Sequence, residues 1–207
     1  MKNFYIILIL FFSFTIYSCA KKSDSSSSTS ATSALEASST ASGSITVGSE
    51  TLSGTYATSC ITTGVSDLVS SNSLPSDTKA LGWIFVVRGN DNVTEELNGY
   101  SDTTCTTKNF HTNIVYDNVS VGSASGSNYQ VLQLNTGVSL LGNTTVADTW
   151  LETLYSVSLT VGTEYKTMGT SIQYYGLWNL SGTTFQRGLA STSAYPSSLW
   201  SIPYTKQ

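Results

Sequence analysis

The sequence predicts an all-β domain built from antiparallel strands, on three observations. Apolar and polar residues alternate with period two through much of residues 45–207, and clusters of Gly, Asn, Asp and Ser interrupt that alternation at short intervals. Only one stretch carries helical spacing. Eight or nine short strands in about 160 residues must hide their edges, which a closed barrel or a two-sheet β-sandwich would do.

The alternation is clearest in the second half. Tyr155, Val157, Leu159 and Val161 are separated by Ser156, Ser158 and Thr160, the pattern of a half-buried strand. Ile172, Tyr174, Gly176, Trp178 and Leu180 share one face of the next strand, and Ser181-Gly182 reads as a tight turn into a strand over 184–189. Earlier strands are expected over 54–60, 83–88, 93–100, 113–121 and 129–134. Asn90-Asp91-Asn92 reads as a hairpin turn, because it lacks the spacing and the Gly that a calcium loop requires. Val146, Trp150, Leu151 and Leu154 lie at helical spacing, and Thr145 with Asp148 resembles a capping box. A short helix over 145–153 and an earlier strand start at Trp150 both fit.

The composition changes twice along the chain. Lys2 precedes an apolar run over residues 4–16, too short to span a bilayer as a helix and of the length of a signal-peptide core. Residues 21–44 are mostly Ser, Thr and Ala with an isolated Leu35, so they bury too little apolar surface to offset ordering and read as a flexible tether. Such a coil spans about 25–30 Å. The division expected is a signal over 1–18, a tether over 19–44 and one domain over 45–207.

Ile16-Tyr17-Ser18-Cys19 resembles the lipobox of bacterial lipoproteins. The resemblance implies cleavage before Cys19, acylation of that residue, and attachment through lipid alone. Two or more acyl chains make such anchoring stable, at about 0.8 kcal/mol per buried methylene. Ala20 follows the cysteine, without an acidic residue that would retain the protein at the inner membrane, so the expectation is an outer-membrane lipoprotein. Loss of the signal removes only Lys2 among the charges, leaving 8 basic against 13 acidic residues and a formal charge of −5. With no basic cluster, neither nucleic acid nor an anionic membrane surface is an expected partner. Protein partners are not specified by the sequence.

Export to an oxidising compartment leaves Cys60 and Cys105 to pair, and a disulfide is expected between them. Redox or metal roles lack support, there being no Cys-x-x-Cys and a single histidine. No metal or cofactor is expected. His111, the one candidate for a catalytic triad, reads as a loop histidine, and no Gly-x-Ser-x-Gly turn exposes a nucleophile. Glu95 and Glu96 are adjacent, so on a strand they face opposite ways and read as solvated charges. No catalytic residues are assigned. The four sequons at Asn92, Asn118, Asn143 and Asn179 are discounted in a Ser/Thr-rich bacterial-type chain.

Gly54-Thr55-Tyr56 before Cys60, and Gly99-Tyr100-Ser101-Asp102 before Cys105, resemble the opening of calycin or lipocalin-like barrels. The segment from Tyr195-Pro196 to Pro203-Tyr204-Thr205 resembles the closing segment of small barrels in bacterial lipoproteins. The resemblance implies a calycin-like barrel of eight or nine strands, with Arg187 lying over the ring of Tyr56, where the family usually has Trp. It also implies a small apolar ligand in the barrel mouth, with Trp83, Phe85, Tyr129, Tyr155, Tyr174, Trp178 and Phe185 as candidate lining. The same rings serve equally as plain core. The alternative function is therefore a surface adhesion or interaction lipoprotein on a solid barrel.

Overall fold

The computed structural model describes Leu35 and residues 37–207. Cys19, the lipobox and most of the tether lie outside the described residues.

Eight strands close a barrel. They are β3 (Thr55–Ala57), β4 (Ala80–Val87), β5 (Val93–Tyr100), β6 (Lys108–Ser125), β7 (Asn128–Gly142), β9 (Gln173–Ser181), β10 (Thr184–Arg187) and β11 (Tyr204–Lys206). Each pairs antiparallel with the next, and β11 returns to β3. A sandwich is excluded by that closure. The seam is short: β11 meets β10 at Thr184↔Thr205 and Phe185↔Tyr204, and meets β3 at Thr205↔Ala57 and Lys206↔Tyr56. A ninth strand, β8 (Tyr165–Met168), hangs on the outer half of β7, which gives its other half to β9.

Strand alternation sorts β4 cleanly. Leu81, Trp83, Phe85 and Val87 point into the barrel core. Ala80, Ile84 and Val86 point outward, yet they are also buried, because Leu35 and the following strap of residues 37–44 lie over them. Gly82 has no side chain so that Leu35 can sit there: a Cβ at Gly82 would stand 2.4 Å from Leu35 Cδ1. Burying that leucine contributes about 1.5–3 kcal/mol. The packed body thus begins near Leu35, and the expected tether boundary at residue 44 falls about ten residues late.

Both ends of the barrel are plugged. A hairpin of β1 (Ile45–Val47) and β2 (Glu50–Leu52) sends Ile45, Val47 and Leu52 into the interior cluster beside β9. Its turn uses Gly48 at φ 64°, and the ring of Tyr129 lies so close that a Cβ there would overlap it. From the opposite end, α1 (Val65–Ser70) contributes Val65 and Leu68, and α2 (Thr145–Tyr155) contributes Ala147 and Leu151.

The helix resolves the ambiguity around Trp150 and corrects the strand expected over 155–161. Thr144 caps it, its hydroxyl accepting from Ala147 N at 3.1 Å, and Ser156 ends it in the left-handed region at φ 57°. Beyond the helix, Val157 and Leu159 still pack on the core, but no neighbouring strand is there to pair with them. The polar and apolar residues alternate in burial without forming a ladder. Cys60 and Cys105 form the expected disulfide, Cα to Cα 5.8 Å, on the outer side of the barrel.

Candidate functional site

Five of the seven rings offered as pocket lining pack against other rings of the core, three of them against one another. Phe85 lies 4.7 Å from Phe185 and 5.4 Å from Trp178 between ring centroids, and Trp83 stands edge-on to Trp200 at 4.8 Å. Tyr174 meets Tyr116 at 5.8 Å. Burial pushes the Tyr174 phenol up to about 12, so it is neutral. Tyr129 packs outside this cluster of rings, on the β1–β2 turn, and Tyr155 sits half-buried on the last turn of α2.

Arg187 is buried within the barrel and forms an ion pair with Glu95, while its Nε donates to Tyr204 Oη at 3.2 Å. Lys206 Nζ lies 5.9 Å from the centroid of the Tyr56 ring. The structure ties Arg187 to the Glu95 carboxylate and the Tyr204 hydroxyl. Phe85↔Glu95 registration explains why that carboxylate faces inward.

Glu95 and Glu96 do face opposite ways, but neither is a solvated charge. Glu96 points outward from β5 and is fully covered by the strap. Its carboxylate accepts from Ser38 N at 3.1 and 2.9 Å, from Ser38 Oγ at 2.9 Å and from Ser39 N at 3.2 Å. Ser42 extends the attachment, its N donating to Val87 O and its Oγ to Arg88 O.

His111 is a strand residue on β6, not a loop residue, and is 4% exposed. Its Nδ1 lies 2.9 Å from Asn98 Oδ1, which can only accept, so Nδ1 carries the proton given that amide orientation. Nε2 faces Ser38 Oγ at 3.4 Å. Burial holds the imidazole pKa below its usual value, with Glu96 pulling the other way and Lys108 adding to the depression.

These residues belong to a polar row across the outer wall. Registration places Glu96 beside Asn113, Asn113 beside Ser139, and Ser139 beside Lys166, one residue from each of β5, β6, β7 and β8. The strap stands along one side and β8 along the other, leaving a groove of about 620 Å³. Asn113 and Ser139 on its floor are only 8% and 6% exposed. Among the described residues, Asn113 Oδ1 has no hydrogen-bond partner. At the rim, Glu164 pairs with Lys166 at 3.0 Å, and Lys166, Ser139 and His111 hold its carboxyl below the usual range against the opposing effect of burial.

Sequence reasoning missed this wall. Its signal was the shared phase of Glu96 and Asn98 on one strand and His111 and Asn113 on the next, but the strap that covers them lies 58 residues from Glu96. The loop after β10 encloses a second hollow of about 470 Å³ lined by its own residues, Leu189 to Ser201. Among the described residues no group of three or more His, Cys, Asp or Glu could hold a metal, and no helix is long and apolar enough to cross a membrane. The sequence matches no protein-family model and none of the curated proteins compared with it.

Proposed function

We propose that this chain is a lipid-anchored protein of the bacterial cell envelope, attached to the outer membrane, that acts as a surface interaction module on a solid barrel. The lipobox-like Cys19 supports the anchoring, and the Ser-rich segment supports a domain held away from the bilayer. The observation that carries the solid-scaffold reading is the mutual packing of Phe85, Trp178 and Phe185, with both barrel ends plugged from β1–β2 and from α1 and α2. An apolar ligand entering the barrel would have to displace that packing, which favours the interaction role over storage of a small apolar molecule.

The test uses the mature acylated chain in detergent, challenged with fatty acid, haem and a sterol and examined by native mass spectrometry. The expected result is no one-to-one adduct. A retained adduct released on denaturation would overturn the solid barrel and restore the apolar-ligand reading. In parallel, metabolic labelling with palmitate is expected for the native chain and not for Cys19→Ala.

A further inference from the structure

We propose that the groove between the strap and β8 is a binding site for a hydroxylated carboxylic acid of sugar size, the uronate class. The proposal deepens the surface-interaction reading and rests on it.

Polar side chains on the outer wall of a barrel normally meet water. Here Asn113, Ser139 and His111 are all more than nine-tenths buried and all line the groove. An amide oxygen buried without a donor is unfavourable, so Asn113 Oδ1, unpartnered among the described residues, is a standing acceptor for a ligand hydroxyl. The strap side adds Ser38, Ser39 and Thr40, and the β8 side adds Thr167, a lining dense in hydroxyl groups.

The acid end has a counterpart too. Arg88 lines the same groove, is exposed, and donates to the Thr94 hydroxyl at 3.3 Å. Among the described residues its guanidinium has no carboxylate partner, so its planar fork is available for one. Thr94 registers with Val115, two residues along β6 from Asn113. With that two-residue step and one strand spacing between them, the Thr94 and Asn113 positions stand about 8 Å apart, a distance that a sugar acid contacting both Arg88 and the Asn113 amide can bridge. Val115 and Leu141 add apolar surface on either side of the Asn113–Ser139 row. Lys108 and Lys166 keep the lining cationic against Glu164. The volume falls within the range of about 300–1,000 Å³ typical of small-molecule sites.

The experiment is calorimetric titration of the mature chain with glucuronate, glucose and a trigalacturonate. Saturable glucuronate binding, with glucose weaker by about tenfold or more, is the expected result. Tighter binding of the trimer would assign the ligand to a polysaccharide, and tighter binding of the monomer to a free sugar acid. Arg88→Ala should weaken the acids by about tenfold and leave thermal unfolding unchanged, since Arg88 is exposed; Arg88→Lys should recover part of the loss. Asn113→Ala should weaken acid and neutral sugar alike.

Absence of saturable uronate binding overturns the proposal, as does binding that Arg88→Ala does not change or glucose binding as tight as glucuronate. Those failures leave the solid barrel untouched. A fatty-acid adduct beside intact uronate binding would instead overturn the solid barrel alone.

Discussion

Arg187 and Glu95 meet inside the barrel, 4% and 6% exposed, beside the edge-to-face rings of Trp178 and Phe85 with which they register. An ion pair in such surroundings adds little over apolar residues of the same size, but either half alone is a buried, uncompensated charge. Arg187→Met is expected to cost about 3–5 kcal/mol in denaturant unfolding, and adding Glu95→Leu should recover most of it. A double variant as unstable as the single one would mean that the pair itself, and not the orphaned charge, carries the stability.

The Cys60–Cys105 disulfide closes a separation of 45 residues. On the chain-entropy account it contributes about 4 kcal/mol, so the unfolding free energy of the double Cys→Ser variant, extrapolated from guanidinium unfolding, should be lower by about that amount.

Thr144 does two things at the start of α2: it accepts from Ala147 N and donates to Asp77 Oδ2 at 2.7 Å. Thr144→Ala should cost about 1–2 kcal/mol, while Thr144→Ser should cost well under half as much. Thermal unfolding of the three chains checks this.

The strap is held mainly through one carboxylate. Glu96→Leu removes the acceptor for Ser38 N, Ser38 Oγ and Ser39 N while filling much of the same volume. Amide hydrogen exchange over residues 38–42 should rise by about tenfold or more, with the barrel strands unchanged. Unaltered protection would show that Leu35 and Ser42 hold the strap without Glu96.

His111 makes stability depend on pH. Its imidazole pKa is lower folded than unfolded, so the unfolded chain takes up a proton first. Stability is then constant above the unfolded value of about 6.5 and declines as pH falls below it. The groups facing the ring are Glu96 and Glu164, which oppose the decline, and Lys108, which adds to it. The unfolding midpoint should be lower at pH 5.5 than at 7.5 in the native chain, and the difference should shrink in His111→Gln.

How much of this was legible in the sequence depends on whether a residue's surroundings are local. The strand through Tyr174, Trp178 and Leu180 and the turn at Gly182 were readable, because alternation and turn chemistry reside in the segment itself. So was the disulfide, by elimination. The strand inferred from Tyr155 to Val161 failed because alternating burial needs only a core on one side, whereas a strand also needs a neighbour to pair with. Strands β8 and β11, of four and three residues, are too short to show any period. The groove could not be read because its walls come from the strap and β8, while its floor comes from β6 and β7. Glu96 looked like a surface charge until Ser38 was seen to cover it.

The seam at β11 also governs the order in which the protein can be made. β3 has one edge paired by β4 nearby, but its other edge waits for Thr205 and Lys206, about 150 residues further along the chain. For most of its synthesis, the nascent sheet is an open ribbon with β3 unpaired on one side. Contacts so distant in sequence form slowly, and an open strand edge invites pairing with other chains. Leu35 and the strap lie over the outward face of β4 beside that edge, so an early-emerging segment can shield part of the ribbon before closure. Aggregation during folding should therefore be more sensitive to loss of the strap than the stability of the finished barrel is.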